Sequence, residues 1–366
     1  MAREAVRTQV SDTRQTVPKN VFIDTEAFIR NNFDFDGRRF ASLLQLVESG
    51  EITIFLTAVT VSEVRSNIIS MVMNTRRIKP DKVLRNSRIE SVEALFVRVP
   101  KAEARVELLE QFERFLSAGD VEVLEVEGES LEKVLSDYFD RRPPFGDEKN
   151  KAEFPDAIAI DTIGRWCDEN EEEMAIVTKD SGMASTCSDE HGRLRHFDSI
   201  SSYLDAVLVP ESDTVHEFIL DMIEEHKDVV FRDVAHEFDN LGFVIVDQIE
   251  GDVEYAELLG VDFRDGIEVV RLENGEASIE VLTELEFRAD IHYPEEGTSI
   301  YDSEEGRTFY PHWIADSVTR TASRVVGLDV RLDSLVPEHF SIEHVKLIEA
   351  ADVELEAYPY SDQDLK

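Results

Sequence analysis

The sequence predicts an α/β domain built on a parallel sheet, followed by a smaller, strand-rich α+β domain. Short apolar runs alternate with helix-period segments from Lys19 to about residue 205, which is typical of a parallel sheet covered by helices. After Tyr203 the composition changes, and strand-like runs predominate from Gly242 onward. With 366 residues and 42% apolar composition, the chain can form a packed core in each of two or three domains.

In the first half, strand-like and helix-like segments follow one another in regular order. Residues 1–17 are polar and aperiodic, and we expect a flexible tail there, with the first domain spanning 18–205. The expected strands are Asn20–Asp24, Ile52–Thr57, Val121–Val126 and Ala175–Thr178, and the expected helices include Phe40–Glu48, Val61–Met73, Glu103–Leu116 and Asp156–Asp168.

The second half begins with a helical stretch and continues mostly as strands. Val215–Phe238 has helical periodicity, so we expect residues 206–240 to form a connector and 241–366 to form the second domain. We find no catalytic motif in this second domain. Its expected strands are Phe243–Ile249, Glu268–Leu272, Ala277–Ile291, Gly327–Leu332 and Val345–Leu355, with Glu-Gly and Asn-Gly turns and one helix at about Trp313–Val325.

The composition is strongly acidic, with a net charge of −41 and 11 lysines against 27 arginines. This pattern resembles proteins adapted to concentrated intracellular salt, where the Debye length falls to ~3 Å at 1 M and surface self-repulsion is screened. Such a charge argues against nonspecific binding to nucleic acid, which depends largely on cations that neutralise phosphates. A nuclease of this composition therefore needs a local basic patch or metal ions.

Cysteine content and hydropathy indicate a cytoplasmic protein. The two cysteines, Cys167 in an expected helix and Cys187 in an expected polar loop, are too few for a disulfide framework or a zinc cluster. No run approaches the ~20 apolar residues that cross a bilayer, and the N-terminus lacks the apolar core of a signal peptide. We therefore expect no membrane partner.

Four acidic residues lie at the ends or starts of the expected elements. Asp24 and Asp180 close strands, whereas Glu63 and Asp156 lie at the starts of helical segments. The carboxyl ends of parallel strands meet at one crevice of an open α/β sheet, so these side chains are expected to converge. Oxygen ligands suit hard divalent cations, and the pattern predicts a Mg²⁺ or Mn²⁺ site.

Each acid also has a purely structural explanation. Asp24 suits an N-cap for a helix over Glu26–Asn31, and Thr60 with Glu63 forms the spacing of a capping box. Asp156 follows Pro155 in the first turn of a helix, where a negative charge is favoured by ~0.3 to 1 kcal/mol. The remaining acid, Asp180, lies in a turn-forming Asp-Ser-Gly sequence.

Two further residues are accessory candidates. Thr25 is adjacent to Asp24 and is placed to orient a ligand or a bound water. Asp161 follows Asp156 by five positions, or roughly 140° around a helix, so both cannot point squarely at one ion. We therefore take Asp156 as the ligand and keep Asp161 in reserve.

Two basic segments are candidates for phosphate contact. A Pro/Gly loop just before Asp156 carries the better candidates, and the expected substrate-binding residues are Arg141, Arg142, Lys149 and Lys151. A second cationic stretch lies between Asn74 and Lys101, where a solvated helix pair after Pro80 is an equally good explanation.

The acidic segments resemble the four motifs of PIN-domain ribonucleases in order, element context and spacing. The long insert before the third motif and its Pro-Pro-Phe loop look most like the PIN-like branch with a C-terminal appendage, called the DUF4935 type. The resemblance covers about residues 19–205, and the matching segments are Val21–Thr25, Thr60–Val64, Phe154–Ile158 and Ile176–Asp180.

This resemblance implies a metal-dependent endoribonuclease. It makes Asp24, Glu63, Asp156 and Asp180 the catalytic set that binds Mg²⁺ or Mn²⁺, with a metal-activated water that cleaves RNA phosphodiesters. The implied partners are RNA, including single-stranded RNA, and, as with toxin-type members, a protein inhibitor or another copy of the chain. One departure is Glu26, where the family often has a small polar residue; this extra carboxylate either adds negative charge or joins the site.

Two other function classes stay open at this point. One is a catalytically weak or masked PIN-like module that acts as a nucleic-acid or protein interaction domain. The other is a metal-dependent phosphohydrolase acting on a small substrate. The Asp-x-Asp nucleophile pair of haloacid-dehalogenase-like enzymes is absent, because Asp24 is followed by Thr25 and Glu26.

Overall fold

The chain divides into two units, one ending at Val207 and one beginning at Leu208. Each unit is described separately below from a computed structural model. The described residues are 17–74, 100–119, 121–142, 145, 153–189, 192–209, 212–246, 251–295, 300–302, 307–309, 312–332, 334–348 and 352–357.

A five-stranded parallel sheet forms the centre of the N-terminal unit. Its order is β3-β2-β1-β4-β5, and every neighbouring pair is parallel, which confirms the predicted fold class. Strand β5 was not predicted, because Leu-Arg-His-Phe has two adjacent polar residues and neither alternates nor forms an apolar run. The strands are β1 (Asn20–Ile23), β2 (Thr53–Thr57), β3 (Val121–Leu124), β4 (Met174–Val177) and β5 (Leu194–Phe197).

Helices accompany this sheet, and a cluster of buried phenylalanines joins three of them. Neighbouring ring centroids in the cluster lie 5.3 to 6.4 Å apart, and its members are Phe28, Phe35, Phe40, Phe112 and Phe115. The described helices are α1 (Thr25–Arg30), α2 (Arg38–Glu48), α3 (Ala58–Asn74), α4 (Lys101–Leu116), α5 (Gly128–Asp140), α6 (Phe154–Asn170), α7 (Ser181–Asp189) and α8 (Ile200–Leu208).

The chain reverses its direction of travel across the sheet between β1 and β4. These two strands are neighbours although about 150 residues separate them, with Ile23 opposite Val177. The backbone N–H of Asp24 donates to the carbonyl of Val177 at 3.1 Å and fixes where the two strands part. The point at which the strand order reverses is where open α/β sheets bind ligands, so the fold defines one crevice for the site.

Both cysteines are buried in helices. Cys167 lies in α6 as expected, whereas Cys187 lies in α7 and not in a polar loop. The Cys187 thiol contacts the Met183 carbonyl within the helix, at 3.4 Å. Burial raises the pKa of Cys187 to about 11 and that of Cys167 to about 12, so neither thiol is activated as a nucleophile.

The C-terminal unit contains a four-stranded antiparallel sheet in the order β12-β11-β8-β7. Asn274 and Gly275 join β7 to β8 with φ values of 53° and 80°, which confirms the Asn-Gly hairpin turn. The strands of this unit are β6 (Phe243–Ile245), β7 (Asp252–Glu273), β8 (Glu276–Pro294), β9 (Ile300–Asp302), β10 (Arg307–Phe309), β11 (Trp313–Leu332), β12 (Phe340–Leu347) and β13 (Val353–Leu355).

The helix expected at Trp313–Val325 is wrong, because this segment is the first part of β11. It pairs with β8 along its length, from Trp313 opposite Pro294 to Arg331 opposite Glu276. Arg320 and Arg324 interrupt the apolar alternation that would have indicated a strand. Their guanidinium groups donate to carbonyls of the 352–356 segment, to Glu356 at 2.8 Å and to Asp352 at 3.3 Å.

Two helices, α9 (Ser212–Glu225) and α10 (Lys227–Phe238), precede this sheet. The sequence analysis interprets this stretch as a connector. In the structure Ile219 and Val234 are buried in the same apolar cluster as Ile279 and Val281 of β8. The two helices therefore contribute to the core of the C-terminal unit. Among the described helices, none combines the length and apolar content that a bilayer crossing demands.

Candidate active site

Asp24 is the most constrained acid at the sheet crevice. It directly follows β1 and only 6% of its surface is exposed. Its Oδ1 accepts a hydrogen bond from the Thr25 backbone N–H at 2.7 Å, and its Oδ2 accepts one from the Thr178 hydroxyl at 2.8 Å. Asp24 therefore caps α1, as the structural explanation expects, and is also tied to the end of β4.

Glu63 faces the same crevice from α3. Its Oε2 accepts a hydrogen bond from the Thr25 hydroxyl at 3.0 Å, so Thr25 is bonded to both Asp24 and Glu63. The expected capping box is wrong, because α3 begins at Ala58 and Thr60 lies inside it. The Thr60 N–H donates instead to the Thr57 hydroxyl at 3.1 Å. Glu63 is consequently not needed as a cap.

Asp180 lies at the start of α7, beyond the end of β4. Its Oδ1 accepts from the Met183 backbone N–H at 2.7 Å, which is an N-cap interaction. Its own N–H donates to the Thr178 hydroxyl at 3.0 Å, while that hydroxyl donates to Asp24. A single threonine side chain thus joins Asp24 to the segment that carries Asp180.

Asp156 lies in the first turn of α6 and is affected electrostatically by the other three acids. Burial is the main cause of a pKa of about 7 for Asp156, and the negative charges of Asp24, Glu63, Asp180 and Glu153, in that order, contribute to the same rise. The four candidate acids, Asp24, Glu63, Asp156 and Asp180, come from separate elements of the fold. The structure therefore brings them within electrostatic reach of one another.

The pKa values of Asp24 and Glu63 are also raised, mainly by burial. The pKa of Asp24 reaches about 6, because burial and the charges of Glu63 and Glu26 outweigh the hydrogen bonds from Thr178 and Thr25. For Glu63, burial outweighs the hydrogen bond from Thr25. A positive charge placed among buried carboxylates that repel one another would stabilise their ionised forms.

The donor chemistry of this site fits a hard divalent cation. All the converging groups are carboxylates, which are the ligands that Mg²⁺ and Mn²⁺ prefer. Their spacing is not that of a finished coordination shell, since no three His, Cys, Asp or Glu side chains in the described parts of the chain are grouped to hold a metal ion. The acids match such an ion in charge and donor type.

Asp161, the reserve candidate, is paired with a lysine. Its Oδ1 lies 3.0 Å from the Lys133 ammonium group of α5, while its buried Oδ2 has no hydrogen-bond partner among the described residues. Only 3% of Asp161 is exposed. Lys133 also lies 3.8 Å from Asp137, so it connects two buried carboxylates across α5 and α6.

The basic candidates fall partly within the described residues. Arg141 ends α5 in a left-handed conformation with φ of 58°. Arg142 follows it and pairs with Asp137 at 3.3 Å and with Asp140 at 3.2 Å. The other basic candidates, Lys149, Lys151 and the stretch from Arg76 to Arg98, lie outside the described residues.

The structure adds residues around the acids to which the sequence analysis gave no role. Thr178 could have been found, because a hydroxyl two positions before Asp180 lies at the same strand end. The His196 ring donates from Nε2 to the Thr178 carbonyl at 2.7 Å, a contact for which the sequence gave no signal. Glu26 accepts from the Lys179 backbone N–H at 3.3 Å, so the extra carboxylate lies beside the site.

Comparison with known families gives one match, and it lies in the N-terminal unit. A family model described as PIN domain matches residues 21–183, which include all four acids. PIN domains are generally nucleases that use divalent metals, so this match supports a nuclease role. Neither the curated proteins nor the solved structures with which the chain was compared gave a match.

Proposed function

We propose that this protein is a metal-dependent endoribonuclease that hydrolyses RNA phosphodiesters, and the PIN domain match over residues 21–183 supports a nuclease role. The observation that carries the proposal is the convergence of four carboxylates from four separate elements. It is expressed in the pKa of Asp156, which burial and the charges of Asp24, Glu63 and Asp180 raise to about 7. A site that concentrates so much negative charge is suited to a cation.

In this proposal Asp24, Glu63, Asp156 and Asp180 hold Mg²⁺ or Mn²⁺. A bound divalent ion would supply an acidified water and would neutralise charge on the phosphate oxygens. The acids themselves act as ligands and not as covalent nucleophiles.

Two threonines orient the carboxylates. Thr25 donates its backbone N–H to Asp24 and its hydroxyl to Glu63, and Thr178 donates its hydroxyl to the other oxygen of Asp24. Both oxygens of Asp24 are therefore fixed in direction. Pre-orientation of this kind reduces the rearrangement that a metal and a scissile phosphate would require.

The proposed substrate is RNA, including single-stranded RNA, and the cations near the third acidic motif provide its phosphate contacts. Arg141 and Arg142 end the helix that pairs with α6, and Lys149 and Lys151 complete the proposed set. Local positive charge is required here because the chain as a whole carries −41. The DUF4935-type assignment, a protein inhibitor, self-association and a cytoplasmic location stay predictions.

A cleavage assay tests this proposal. The protein is incubated with labelled RNA, labelled DNA and a chromogenic phosphate ester, each with Mn²⁺ and with EDTA. We expect cleavage of RNA only with Mn²⁺, loss of cleavage in Asp24→Asn, and full activity in Glu48→Gln, which alters an exposed acid of α2. Cleavage of the ester alone, or equal activity of Asp24→Asn and the parent protein, contradicts the proposal.

The second candidate is a PIN-like module that binds without efficient cleavage. The observation that favours it is the spacing of the acids, which is not a ready-made coordination shell within the described residues. The same assay separates the two functions when binding is measured in parallel. RNA or protein binding without turnover at saturating Mn²⁺ supports the interaction module.

A further inference from the structure

The end of α5 presents an exposed aromatic side chain. Phe139 is 68% exposed, the largest value among the exposed large apolar side chains of the described residues. It continues a line of exposed apolar residues spaced four positions apart on one helix face, with Leu131 and Leu135 each 47% exposed. A row of exposed apolar side chains such as this one is typical of a binding surface.

Other rings connect Phe139 to the third acidic motif. Its ring meets Tyr138 edge-to-face with centroids 5.5 Å apart, and Tyr138 contacts Phe154 at 4.9 Å. The buried Phe145 packs against Tyr138 at 5.3 Å and Phe154 at 4.9 Å. Phe154 precedes Asp156 by two residues in α6, so aromatic contacts extend from the exposed ring to the helix that carries Asp156.

Two arginines follow this ring in the sequence, with Asp140 between them and Phe139. Arg141 caps α5, and Arg142 has 57% of its side chain exposed while it pairs with Asp137 and Asp140. An exposed aromatic face beside guanidinium groups is the combination that binds single-stranded nucleic acid, because bases stack on the ring and phosphates meet the cations. The combination of an exposed ring and guanidinium groups therefore favours a nucleic acid over an apolar protein surface.

We propose that Phe139 is a stacking platform for an unpaired RNA base, with the adjoining phosphates held by Arg141 and Arg142. The site selects single-stranded RNA because the bases of a duplex are stacked on one another and cannot cover the ring. This inference rests on the proposed function for the identity of the nucleic acid. It adds a base-contacting residue to a substrate path otherwise defined by charge alone.

Binding of a fluorescein-labelled 12-nucleotide oligouridine to the full chain tests the platform. Asp24→Asn serves as the background, so that the probe is not cut. Phe139→Ala is expected to weaken binding roughly 5-fold to 100-fold, the usual range for a base–aromatic stack. Phe139→Trp is expected to bind at least as tightly as the background, and Phe139→Leu to lose most of the affinity despite its apolar side chain.

The matched control is Tyr255→Ala, which removes an aromatic side chain that is 56% exposed in the C-terminal unit. It is expected to leave the affinity unchanged. Salt titration separates stacking from charge: Phe139→Ala keeps the slope of log K against log salt, whereas Arg142→Ala reduces it by about 0.7. Blunt duplex RNA is expected to bind equally to Phe139→Ala and the background.

Three results overturn the platform. They are unchanged oligouridine affinity in Phe139→Ala, full affinity in Phe139→Leu, and an equal loss on duplex RNA. Unchanged RNA affinity together with a shift from dimer to monomer on size exclusion identifies the ring as a contact between copies instead. If the parent chain cuts no RNA but binds it through Phe139, the platform is supported and the nuclease proposal is refuted. If the parent chain cuts RNA and neither binding nor cleavage depends on Phe139, the nuclease proposal is supported and the platform is refuted.

Discussion

At the residue scale, Thr178 is the side chain on which the geometry of the acids depends most. Its hydroxyl donates to Asp24 and accepts from the backbone N–H of Asp180, so it bonds to two parts of the site at once. Thr25 performs the corresponding role between Asp24 and Glu63. The carboxylates are therefore positioned by hydroxyl groups and not by direct contact with one another.

Replacement of Thr178 with valine tests this positioning. The variant keeps the shape of the side chain and leaves the buried Asp24 Oδ2 without its donor, a change that costs about 1.5 to 3 kcal/mol for a charged group. We expect kcat/KM on RNA to fall by roughly 10-fold to 100-fold. Thr178→Ser keeps the hydroxyl and should retain most of the activity; equal activity in the valine and serine variants contradicts the assigned role.

The raised pKa of Asp156 predicts a pH-dependent stability. In the folded state the pKa is about 7, against an ordinary value of 3.8, so the folded protein binds this proton more tightly than the unfolded chain. Its contribution to the free energy of unfolding is therefore largest at low pH and is lost as the pH rises from about 4 to about 7.

Asp156→Asn removes the ionisable carboxyl group, and with it both the pH dependence and the repulsion between Asp156 and the neighbouring acids. In EDTA at pH 8 the variant should be more stable than the parent protein by about 1 kcal/mol, a figure reduced for partial solvent screening. The difference should shrink at pH 5. Urea unfolding at both pH values measures it, with Glu48→Gln as a surface-acid control. A variant that is less stable at pH 8 shows that Asp156 is favourably paired in the folded protein.

The sequence predicted the four acids but not how they are held. Asp24 and Asp180 follow apolar runs, so their position at strand ends can be inferred from the pattern alone. The hydrogen bond from Thr178 to Asp24 spans 154 positions, and no local pattern indicates it. For Glu63 the sequence did contain a local capping pattern, but the helix begins at Ala58, so Glu63 does not form the expected capping box.

At the element scale, α5 and α6 are joined by an ion pair whose carboxylate is buried. Lys133 of α5 lies 3.0 Å from Asp161 of α6, and this pair lies one helical turn and a half beyond Asp156. The aromatic contacts of Tyr138 with Phe154 lie along the same helix pair. The orientation of the helix that carries Asp156 therefore depends on α5.

Lys133→Met should destabilise the N-terminal unit. It leaves the Asp161 carboxylate buried without a cation, which costs about 1 to 3 kcal/mol. Adding Asp161→Leu should recover most of that loss, because both partners are then apolar. Urea unfolding of the two single variants and the double variant measures the coupling. Lys227→Met, which breaks two exposed ion pairs and a cation–π contact with Phe263, is the control and should change stability by about 1 kcal/mol or less.

Element prediction succeeded where the periodicity was simple and failed where long-range contacts set the pattern. The last three residues of β1 and all of β4 are apolar and buried, as expected where both faces of a parallel sheet are covered. In β11, Arg320 and Arg324 lie four positions apart, a helical spacing, yet each is on a strand and bonds to the 352–356 segment. That segment is distant in sequence, so the sequence alone favoured a helix.

At the scale of the whole molecule, the two units have separate cores. The apolar cluster of the C-terminal unit contains residues from Val209 onward, whereas the cluster around Phe22 and Ile176 belongs to the N-terminal unit. The acids lie in the N-terminal unit alone. A ligand of the acids should therefore act on the stability of one unit and leave the other unchanged.

Calorimetry tests this separation. We expect two unfolding transitions, of which only one rises in temperature with Mn²⁺. Ile279→Ala, in the buried core of β8, should lower the other transition through a loss of about 2 to 5 kcal/mol. Asp24→Asn should remove the response to Mn²⁺ without affecting the second transition. A single transition that responds to both the metal and Ile279→Ala shows that the units unfold together.

The five-stranded sheet ends at a short open edge, β3, and this has a consequence for colloidal behaviour. Val123 of β3 is 40% exposed and its neighbour Glu122 is also exposed. Unpaired edges invite the strands of other molecules and so promote aggregation. At ~1 M salt the repulsion between whole molecules is screened to within ~3 Å, and only a charge on the edge itself still opposes such docking. Glu122 is the charged residue of β3. In concentrated brine, Glu122→Gln should therefore precipitate at a lower protein concentration than the parent protein does.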